Sequence, residues 1–566
     1  MITINDKQIE WKSGETVLQT AQRAGIDIPH LCAFEGCATP PAACRVCMVE
    51  VENNPRLQTS CTLQTQDGMV VRTHTPRLQQ ARRNIVELLL ASHPDDCLFC
   101  SRNGDCELAV LASQLGIRER KYWGIKKTQP IDLSSPSIIR DANKCILCGR
   151  CVSVCHTTQG VGAIDFTGRG FETCVNPAFY DGLNVSDCIF CGQCVRACPT
   201  GALTEKSHVA EVIKALADPE VMVVAQVAPA VPATLMEELE CSSITEMLEA
   251  LSGSLRQIGF EAVFDTSFTA DLTIMEEVSE LIQRVTTGGA LPMFTSCSPG
   301  WVRYIELHRP EMIPYLSTCK SPQQMMGALI KECYPKQVDT KGRRIYSVSI
   351  MPCTAKKYEA EDLGDVDAVL TTREVDDLLR RFGRKFSAQG PKAPLDVPFA
   401  EATGAGRIFG GTGGVMEAAI RTAYKMLTGE DLQGSPKIAD ARGLDQVKVF
   451  SVDVAGTTLN FAVINGLGEV KPILDAVLQK NSNLHFIEVM TCPGGCVGGG
   501  GQPYGTDLEK IKKRLQRIYE VDRQAKSRLS HENEQVKALY KNLLGEPLGK
   551  KSHHLLHRKY IDRRKG

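Results

Sequence analysis

The chain has 566 residues, 43% hydrophobic and 23% charged, which is ordinary for a globular protein and too long for a single hydrophobic core. Its formal net charge of −1 excludes the broad positive field that nucleic-acid binding or an anionic membrane surface would need. The opening MITINDKQIEWKSG lacks an export signal and no run of about 18 apolar residues occurs, so we expect a cytoplasmic protein without a membrane span.

The 24 cysteines are unevenly distributed, because 17 of them lie before residue 200, mostly in tight groups. Cytoplasmic thiols stay reduced, so short and repeated cysteine spacings indicate metal ligands rather than disulfides. The pattern therefore predicts a series of metal sites in the first part of the chain.

Residues 1–76 are predicted to form a small 2Fe-2S domain. The segments ITIND and QIEWKSGETV favour a β-hairpin, followed by a helix from Thr16 to Ala24 that ends at Gly25. Four thiolates suffice for a 2Fe-2S cluster, with zinc as the alternative occupant. Cys37 lies seven positions before Cys44 and is interpreted as a structural thiol. The predicted ligands are Cys32, Cys44, Cys47 and Cys61.

Residues 77–135 present one imidazole among three thiols. Taken alone, this composition would also suit tetrahedral zinc. Beside iron-sulfur motifs it favours a 4Fe-4S cluster with one nitrogen ligand, and nitrogen ligation changes the cluster charge that helps to set its reduction potential. The predicted ligands are His93, Cys97, Cys100 and Cys106.

Residues 136–208 contain an internal repeat in which C-x2-C-x2-C-x3-C occurs twice. This is the bacterial ferredoxin run, whose fourth cysteine ligates the other of two 4Fe-4S clusters. One predicted ligand set is Cys145, Cys148, Cys151 and Cys198. The second set is Cys188, Cys191, Cys194 and Cys155. Cys174 lies between the repeats, fits neither set and is predicted not to be a ligand.

From residue 209 to 508 the pattern changes to alternating apolar strands and helices, which predicts an α/β domain with a largely parallel sheet. The segment Ile274 to Arg284 is predicted to be helical. Predicted strands are VMVVAQVAPAV from Val221, Ala290 to Thr295, Ile345 to Met351 and His485 to Met490. Three cysteine-bearing loops follow strands, TSCSPGW, MPCTAKKYE and EVMTCPGGCVGGGGQP. Loops at strand ends are where α/β folds place their functional sites.

These three loops, in this order, resemble the three signature motifs of FeFe-hydrogenases, and the cysteine-rich first part is similar to the accessory region of longer family members. Residues 509–566, with LYKNLLGEPLGKKSHHLLH, resemble the family's small subunit. The resemblance implies a multidomain α+β and α/β protein, with ferredoxin-like iron-sulfur domains before an α/β domain for the H-cluster. That cofactor is a 4Fe-4S cubane bridged by a cysteine to a diiron site with CO, cyanide and azadithiolate.

The resemblance also implies roles for individual residues. Cys353, Cys492 and Cys496 correspond to cubane ligands, with Cys496 bridging, and Cys297 is the predicted fourth. Lys356 is similar to the lysine that contacts a diiron cyanide, while Met351 and Met490 would pack beside the cofactor. The glycines 498–501 would let backbone pack against it. The family's proton route corresponds to Glu277, Glu280, Ser317 and Arg284.

The first motif departs from the family pattern, because many members have two adjacent cysteines where this chain has Cys297 and Ser298. Cubane iron prefers a soft thiolate to a hard alkoxide. The resulting hypothesis is that Cys297 ligates the cubane and Ser298 stands near the relay position that passes protons.

Without the resemblance, the residues predict that Glu277 and Glu280 form an exposed helical pair. They also predict that the basic stretch from Lys550 to Lys565 is a solvated surface tail.

The functional prediction is reversible interconversion of H2 with protons and electrons, relayed through one 2Fe-2S and three accessory 4Fe-4S clusters. No Gly-x-Gly-x-x-Gly follows a strand, so flavin and NAD(P)-binding and iron-sulfur partner subunits are expected, with ferredoxin as a further candidate partner. The alternatives are a hydrogen or redox sensor and an electron-conduit subunit of an NADH dehydrogenase.

Overall fold

The structure is a computed structural model that describes residues 1–34, 40–126, 128–237, 239, 241, 243–432, 440–454 and 456–565. The chain divides into two compact units. The first comprises Met1–Cys188 and Gln193–Thr204, and the second comprises Ile189–Gly192 and Glu205–Gly566. Among the described residues, no helix has the length and apolar character needed to cross a membrane.

The first unit is built from short elements joined by long loops. In chain order these are β1 Ile2–Ile4, β2 Lys7–Ile9, α1 Val17–Arg23, β3 Met48–Val51, β4 Gln58–Thr59, β5 Val70–Arg72, α2 Pro76–Ser92, α3 Glu107–Gln114, β6 Ile138–Arg140, α4 Arg150–Ser153, β7 Asp165–Thr167, β8 Cys174–Asn176, α5 Gln193–Ala197 and β9 Leu203–Glu205.

The predicted hairpin and first helix are both present. Strands β1 and β2 pair antiparallel, with Ile2 opposite Ile9, inside a five-stranded sheet of order β2-β1-β5-β3-β4. Helix α1 begins after Thr16, whose hydroxyl accepts from the Gln19 N–H while the Gln19 side chain accepts from the Thr16 N–H. This reciprocal cap satisfies two backbone donors and fixes where the helix starts.

The second unit is larger, and its elements alternate between helix and strand. They are α6 Val209–Leu216, β10 Val221–Val227, α7 Ala230–Leu235, α8 Ile244–Gln257, β11 Ala262–Asp265, α9 Thr266–Thr287, β12 Met293–Phe294, α10 Pro299–His308, α11 Pro322–Glu332, β13 Arg344–Ile350, α12 Ala355–Leu363, β14 Ala368–Leu370, α13 Thr372–Arg381, α14 Gly404–Ile408, α15 Gly414–Thr428, β15 Val447–Val454, β16 Thr457–Asn465, α16 Val470–Leu478, β17 Phe486–Met490, α17 Leu508–Gln524, α18 Glu534–Leu539 and α19 Lys550–Leu556.

Two four-stranded sheets organise this unit, in the orders β11-β10-β13-β14 and β12-β17-β16-β15. Every pairing in the first sheet is parallel. All seven residues of β10 are buried, because helices cover both faces of a parallel sheet and leave no solvent-facing side. The predicted α/β architecture is therefore confirmed.

The sequence patterns and the structure differ in detail. The predicted strand at Ala290 to Thr295 is only Met293–Phe294, while the predicted helix Ile274 to Arg284 extends over Thr266–Thr287. The antiparallel hairpin of β15 and β16, in the second sheet, was not predicted.

The expectation that Lys550 to Lys565 forms a solvated tail is wrong. Leu556 is fully buried and His557 is 6% exposed. The Arg563 guanidinium pairs with the buried carboxylate of Glu306 at 2.6 Å. The basic side chains of this segment therefore include specific partners of buried acids, which composition alone cannot reveal.

Candidate active site and cluster-binding sites

The three cysteine-bearing loops of the second unit meet around one cavity. The loops follow β12, β13 and β17, so the ends of parallel strands bring together residues that are far apart in the sequence. The thiols that line the cavity are Cys191, Cys297, Cys353, Cys492 and Cys496. Converging thiols of this kind are the ligands of an iron-sulfur cluster.

The chemistry of the cavity fits a bulky metal cluster. Burial raises the pKa of the Cys353 thiol, and burial together with the nearby charge of Cys353 raises the pKa of Cys496 to about 12. Bare thiolates are thus disfavoured here, and bound iron would offset this because a coordinating thiol is deprotonated by its metal. Met351 and Met490, each 3% exposed, line the same cavity as predicted neighbours of the cofactor.

The glycine run 498–501 packs against backbone. A Cβ on Gly499 would lie 2.0 Å from the Pro352 carbonyl oxygen, and one on Gly500 would lie 2.2 Å from that of Cys191. Gly499 also lines the cavity. The run therefore approaches main chain closely beside two predicted ligands, Cys353 and Cys191, while its packing against a cofactor stays a prediction.

Lys356 lines the cavity, and its ammonium group is held by fixed partners. Its Nζ donates to the Glu359 carboxylate at 2.8 Å and to the Cys297 carbonyl oxygen at 3.2 Å. Glu359 also accepts from Ser321 and Gln323, so its own position is fixed. This arrangement places a positive charge at the cavity wall, where it can attract an anionic ligand of a cofactor.

Cys297 and Ser298 have different surroundings. The Ser298 hydroxyl is 2.7 Å from that of Thr491, next to the predicted ligand Cys492. Burial raises the pKa of the Cys297 thiol well above its usual value, and the charge of Glu277 adds to this effect. Cys297 is thus electrostatically coupled to the predicted proton route as well as to the cavity.

The four residues predicted for the proton route lie together on one side of α9. Glu280 accepts from Arg284 at 2.6 Å and from the Ser317 hydroxyl at 3.3 Å. The exposed fraction of the whole residue rises from 1% at Glu277 to 6% at Glu280, and Arg284 is partly exposed. Glu277, Glu280 and Arg284 are three to four positions apart on α9, which places them on one helix face, and Ser317 reaches Glu280 from another segment.

The interpretation of Glu277 and Glu280 as an exposed pair is wrong, since both are buried. Burial raises the pKa of Glu277 to about 8, with Ser317 partly opposing this and the charge of Glu280 adding to it. Within the described residues, neither carboxylate oxygen of Glu277 has a hydrogen-bond partner of good geometry. A buried carboxyl in this state holds its proton near neutral pH and can donate it.

In the first unit, the thiols predicted to bind the 2Fe-2S cluster converge. The Cys32 thiol interacts directly with those of Cys44 and Cys61, and Cys47 interacts with Cys61. All four cysteines are buried. Cys37 lies outside the described residues.

The histidine of the second predicted site is buried, whereas its cysteines are more accessible. His93 is 8% exposed, and burial lowers the pKa of its imidazole, which favours the neutral form that metals bind. Cys97 is exposed, while Cys100 and Cys106 are partly exposed. The loop therefore presents its predicted ligands near the protein surface.

Cysteines from both runs of the ferredoxin repeat lie together in the first unit. One cavity is lined by Cys145, Cys148, Cys151 and Cys198, so the fourth cysteine of the second run joins three from the first. Cys194 is influenced by Cys188 and Cys155, which brings together three members of the other set. The fourth member, Cys191, belongs to the short segment Ile189–Gly192 of the second unit.

Cys174 lies apart from these predicted sets. Its sulfur accepts from the Asn176 side chain at 2.8 Å and lies 3.3 Å from the Thr167 hydroxyl. These contacts agree with a structural thiol.

Three residues near the site were not predicted. Glu359 could have been found, because it stands three positions after Lys356 on one helix and carries the opposite charge. Thr318 contacts Glu280, and His557 contacts Thr318. Thr318 and His557 are 239 positions apart, so no sequence spacing links them.

The thiol-rich first unit and the thiol-lined cavity of the second define an iron-sulfur redox enzyme. The family model "Iron only hydrogenase large subunit, C-terminal domain" matches residues 221–500, and "Iron hydrogenase small subunit" matches 508–563. Further models match the accessory part: "2Fe-2S iron-sulfur cluster binding domain" at 1–76, "NADH-ubiquinone oxidoreductase-G iron-sulfur binding region" at 82–121 and "4Fe-4S dicluster domain" at 144–202.

Two curated relatives are similar to this chain over its full length, and a solved structure is similar over part of it. The NADP-reducing hydrogenase subunit HndD of Solidesulfovibrio fructosivorans is 44% identical over 582 residues, covering 100% of this chain and 99% of that protein. Iron hydrogenase 1 of Clostridium pasteurianum is 38% identical over 572 residues, 99% of each chain. The apo FeFe-hydrogenase HydA1 variant from Chlamydomonas reinhardtii matches 63% of this chain and 99% of its own, at 38% identity and a TM-score of 0.55.

The chain therefore belongs to the FeFe-hydrogenase family. The predicted hydrogenase with 2Fe-2S and 4Fe-4S accessory domains for electron relay is confirmed.

Proposed function

We propose that this hydrogenase is the hydrogen-converting subunit of a larger complex that exchanges electrons with NAD(P) through a separate flavin subunit. The observation that carries this is full-length similarity, at 44% identity, to a protein named as one subunit of an NADP-reducing hydrogenase. The match of residues 82–121 to an NADH-ubiquinone oxidoreductase iron-sulfur region supports the same grouping. Ferredoxin is a further candidate partner, and a cytoplasmic location stays a prediction.

The proposed cofactors are one 2Fe-2S cluster, three accessory 4Fe-4S clusters and an H-cluster. The convergence of thiols supports the 2Fe-2S set and the first ferredoxin set. His93 with Cys97, Cys100 and Cys106 would hold another of the accessory 4Fe-4S clusters. Cys297, Cys353, Cys492 and Cys496 would hold the cubane of the H-cluster, which when bound supplies the cleavage and formation of H2.

The protein's own part in the reaction is to position groups, exclude water and move protons. Lys356, fixed by Glu359, would hold an anionic cofactor ligand, and Met351 and Met490 would keep the cavity apolar. Glu277 would hold a proton at its carboxyl group, and Glu280 with Ser317 and Arg284 would connect it outward. The gradient of exposure along α9 supports this direction of transfer.

The roles of Cys297 and Ser298 have two proposed assignments. The preference of iron for thiolate favours Cys297 as cubane ligand, with Ser298 near the relay. The coupling of Cys297 to Glu277, and the contact of Ser298 with Thr491 beside Cys492, support the reverse.

The hydrogenase assignment is tested with the enzyme after maturation of its diiron site. Infrared bands of CO and cyanide, iron and acid-labile sulfide content, and hydrogen turnover with an artificial dye are expected together. Infrared bands without turnover would instead support a sensor.

The complex is tested by native mass measurement of the protein purified from its source. Flavin-containing partner subunits are expected. A lone chain that reduces NAD(P) with hydrogen would refute the proposed complex.

A further inference from the structure

The end of the chain is bound tightly to the segment that carries part of the proposed proton route. The Lys320 N–H donates to the Leu556 carbonyl at 2.7 Å, and the Arg558 N–H donates to the Thr318 carbonyl at 2.8 Å. The Tyr560 hydroxyl donates to the Ser317 carbonyl. The C-terminal segment therefore fixes the backbone of residues 317–320, from which Glu280 receives hydrogen bonds.

His557 connects this segment to two buried acids. Its side chain is 1% exposed, its Nδ1 is 2.8 Å from the Thr318 hydroxyl, and its Nε2 is 3.1 Å from the Glu276 carboxylate. The Thr318 hydroxyl in turn donates to Glu280 at 3.0 Å. A hydrogen-bonded chain thus runs from Glu276 through His557 and Thr318 to Glu280, which the proposed route already contains.

Three donors besides His557 hydrogen-bond to the Glu276 side chain. It accepts from the Leu548 N–H at 2.8 Å and from the hydroxyls of Tyr540 and Ser552. Burial alone would raise the pKa of Glu276, but these donors together with His557 outweigh burial and lower it. A charged Glu276 can only accept, so the Nε2 of His557 must donate to it.

When the Thr318 hydroxyl donates to Glu280, the number of available protons determines the state of the ring. The Thr318 hydroxyl has one proton, and when it donates to Glu280 its oxygen must accept from the Nδ1 of His557. His557 donates from both nitrogens in this arrangement, which only the imidazolium ion can do. The network is therefore fully satisfied when His557 is charged between Glu276 and Glu280.

We propose that His557 is a proton reservoir that supplies Glu280 through the Thr318 hydroxyl, an inference that rests on the proton route proposed above. Nδ1–H gives its proton to the Thr318 oxygen as the Thr318 O–H gives its own to the Glu280 carboxylate. His557 becomes neutral with Nε2–H on Glu276, Glu280 becomes a neutral carboxyl, and the reverse step recharges the ring. Formation of H2 consumes two protons, so a stored proton beside the route supplies the second.

The titratable and aromatic groups that face His557 are Glu276, Glu280, Cys319 and the stacked ring of His553, and Tyr540 contacts Glu276. His553 is exposed and its ring is parallel to that of His557, with the centroids 4.5 Å apart. Because the two rings stack face to face, His553 has no N–H directed at His557 for proton transfer. Exchange of this proton therefore passes through Thr318, which makes the threonine hydroxyl the point to test.

The test compares Thr318→Val, which keeps the shape but removes the hydroxyl, with Thr318→Ser as the matched control. Dye-linked hydrogen evolution should fall roughly tenfold in Thr318→Val and in His557→Gln, less than the 10²–10⁴-fold effect of a group that transfers protons directly. Their double variant should be no slower than either single one, because both interrupt the same branch. Thr318→Ser should keep at least about half of the activity.

Two measurements separate this role from a structural one. Infrared bands of the loaded cofactor and the melting temperature should be unchanged in Thr318→Val, while its solvent deuterium isotope effect on turnover should increase. In the full protein with 15N-labelled histidine, NMR should show an imidazolium signal that is missing in His557→Gln.

Full activity in Thr318→Val, an equal loss in Thr318→Ser, or a neutral His557 ring would overturn the reservoir. If only Glu277→Gln slows turnover, the main route stands and this branch fails. If Glu277→Gln also has full activity, the proposed route itself fails. Should His557→Gln not fold, the two Thr318 variants decide the question.

Discussion

The two units of the chain use cysteine in different ways. In the first unit, each predicted ligand set contains a tight run, such as Cys145 to Cys151, and several of its cysteines are themselves part of the hydrophobic cores. In the second unit, Cys297 and Cys496 come from loops 199 positions apart and lie at the margin of a core built from sheets and helices. The comparison indicates that metal helps to build the first unit, whereas the second builds a cavity that metal enters.

The largest effect is expected from Cys297→Ala in that cavity. If Cys297 ligates the cubane, its loss should abolish the H-cluster infrared bands and all hydrogen turnover. Ser298→Ala, as the neighbouring control, should keep the bands and slow turnover, and Ser298→Cys should speed it because a thiol ionises more readily than a hydroxyl. A Cys297→Ala protein that keeps its cubane and loses only proton transfer would reverse the two roles.

Removal of iron should distinguish the two units directly. Because cysteines form part of the small cores of the first unit, chelation should release its amide hydrogens to rapid exchange, as in other domains whose folding is coupled to metal. The strands β10 and β13 should stay protected. Hydrogen exchange read by mass spectrometry checks this, and equal loss of protection in both units would contradict the comparison.

Glu277→Gln should lower dye-linked turnover by about 100-fold while the infrared bands persist. It should also change how stability depends on pH. The folded pKa of about 8 lies above the unfolded value of about 4.3, so the folded state binds the extra proton and stability falls as pH rises through this window.

Because glutamine does not titrate, the melting temperature of Glu277→Gln should rise relative to the unmodified protein between pH 5 and pH 8. Thermal melts at several pH values measure this difference. A constant difference would show that Glu277 has no raised pKa.

A smaller effect is expected from Cys191→Ala. Loss of one thiolate should damage one 4Fe-4S cluster, lower transfer to the physiological partner by roughly tenfold or more, and leave part of the dye-linked activity. Cys174→Ala is the matched control and should change neither iron content nor either rate. Unchanged partner-linked rates in Cys191→Ala would contradict the proposed electron route.

Much of this organisation was readable in the sequence, because short cysteine spacings encode local geometry. The ferredoxin crossover, the first hairpin and the strand-end loops followed from spacing, alternation and turn residues. The burial of Glu277 did not, since a charged residue on a helix is ordinarily exposed and only the packing of distant segments around α9 covers it. The same limit applies to His557, because the composition of its segment predicts a solvated basic tail.

The wide separation of the catalytic cysteines has a consequence for synthesis. Domains fold from the N-terminus as the chain emerges from the ribosome, at about 5–20 residues per second. The predicted ligands of the accessory sites are all made by Cys198, but the cavity lacks Cys492 and Cys496 until almost 300 further residues are made. Translation therefore imposes a sequence of events, in which electron-carrying sites can take up iron before the chamber for the diiron cofactor has been closed.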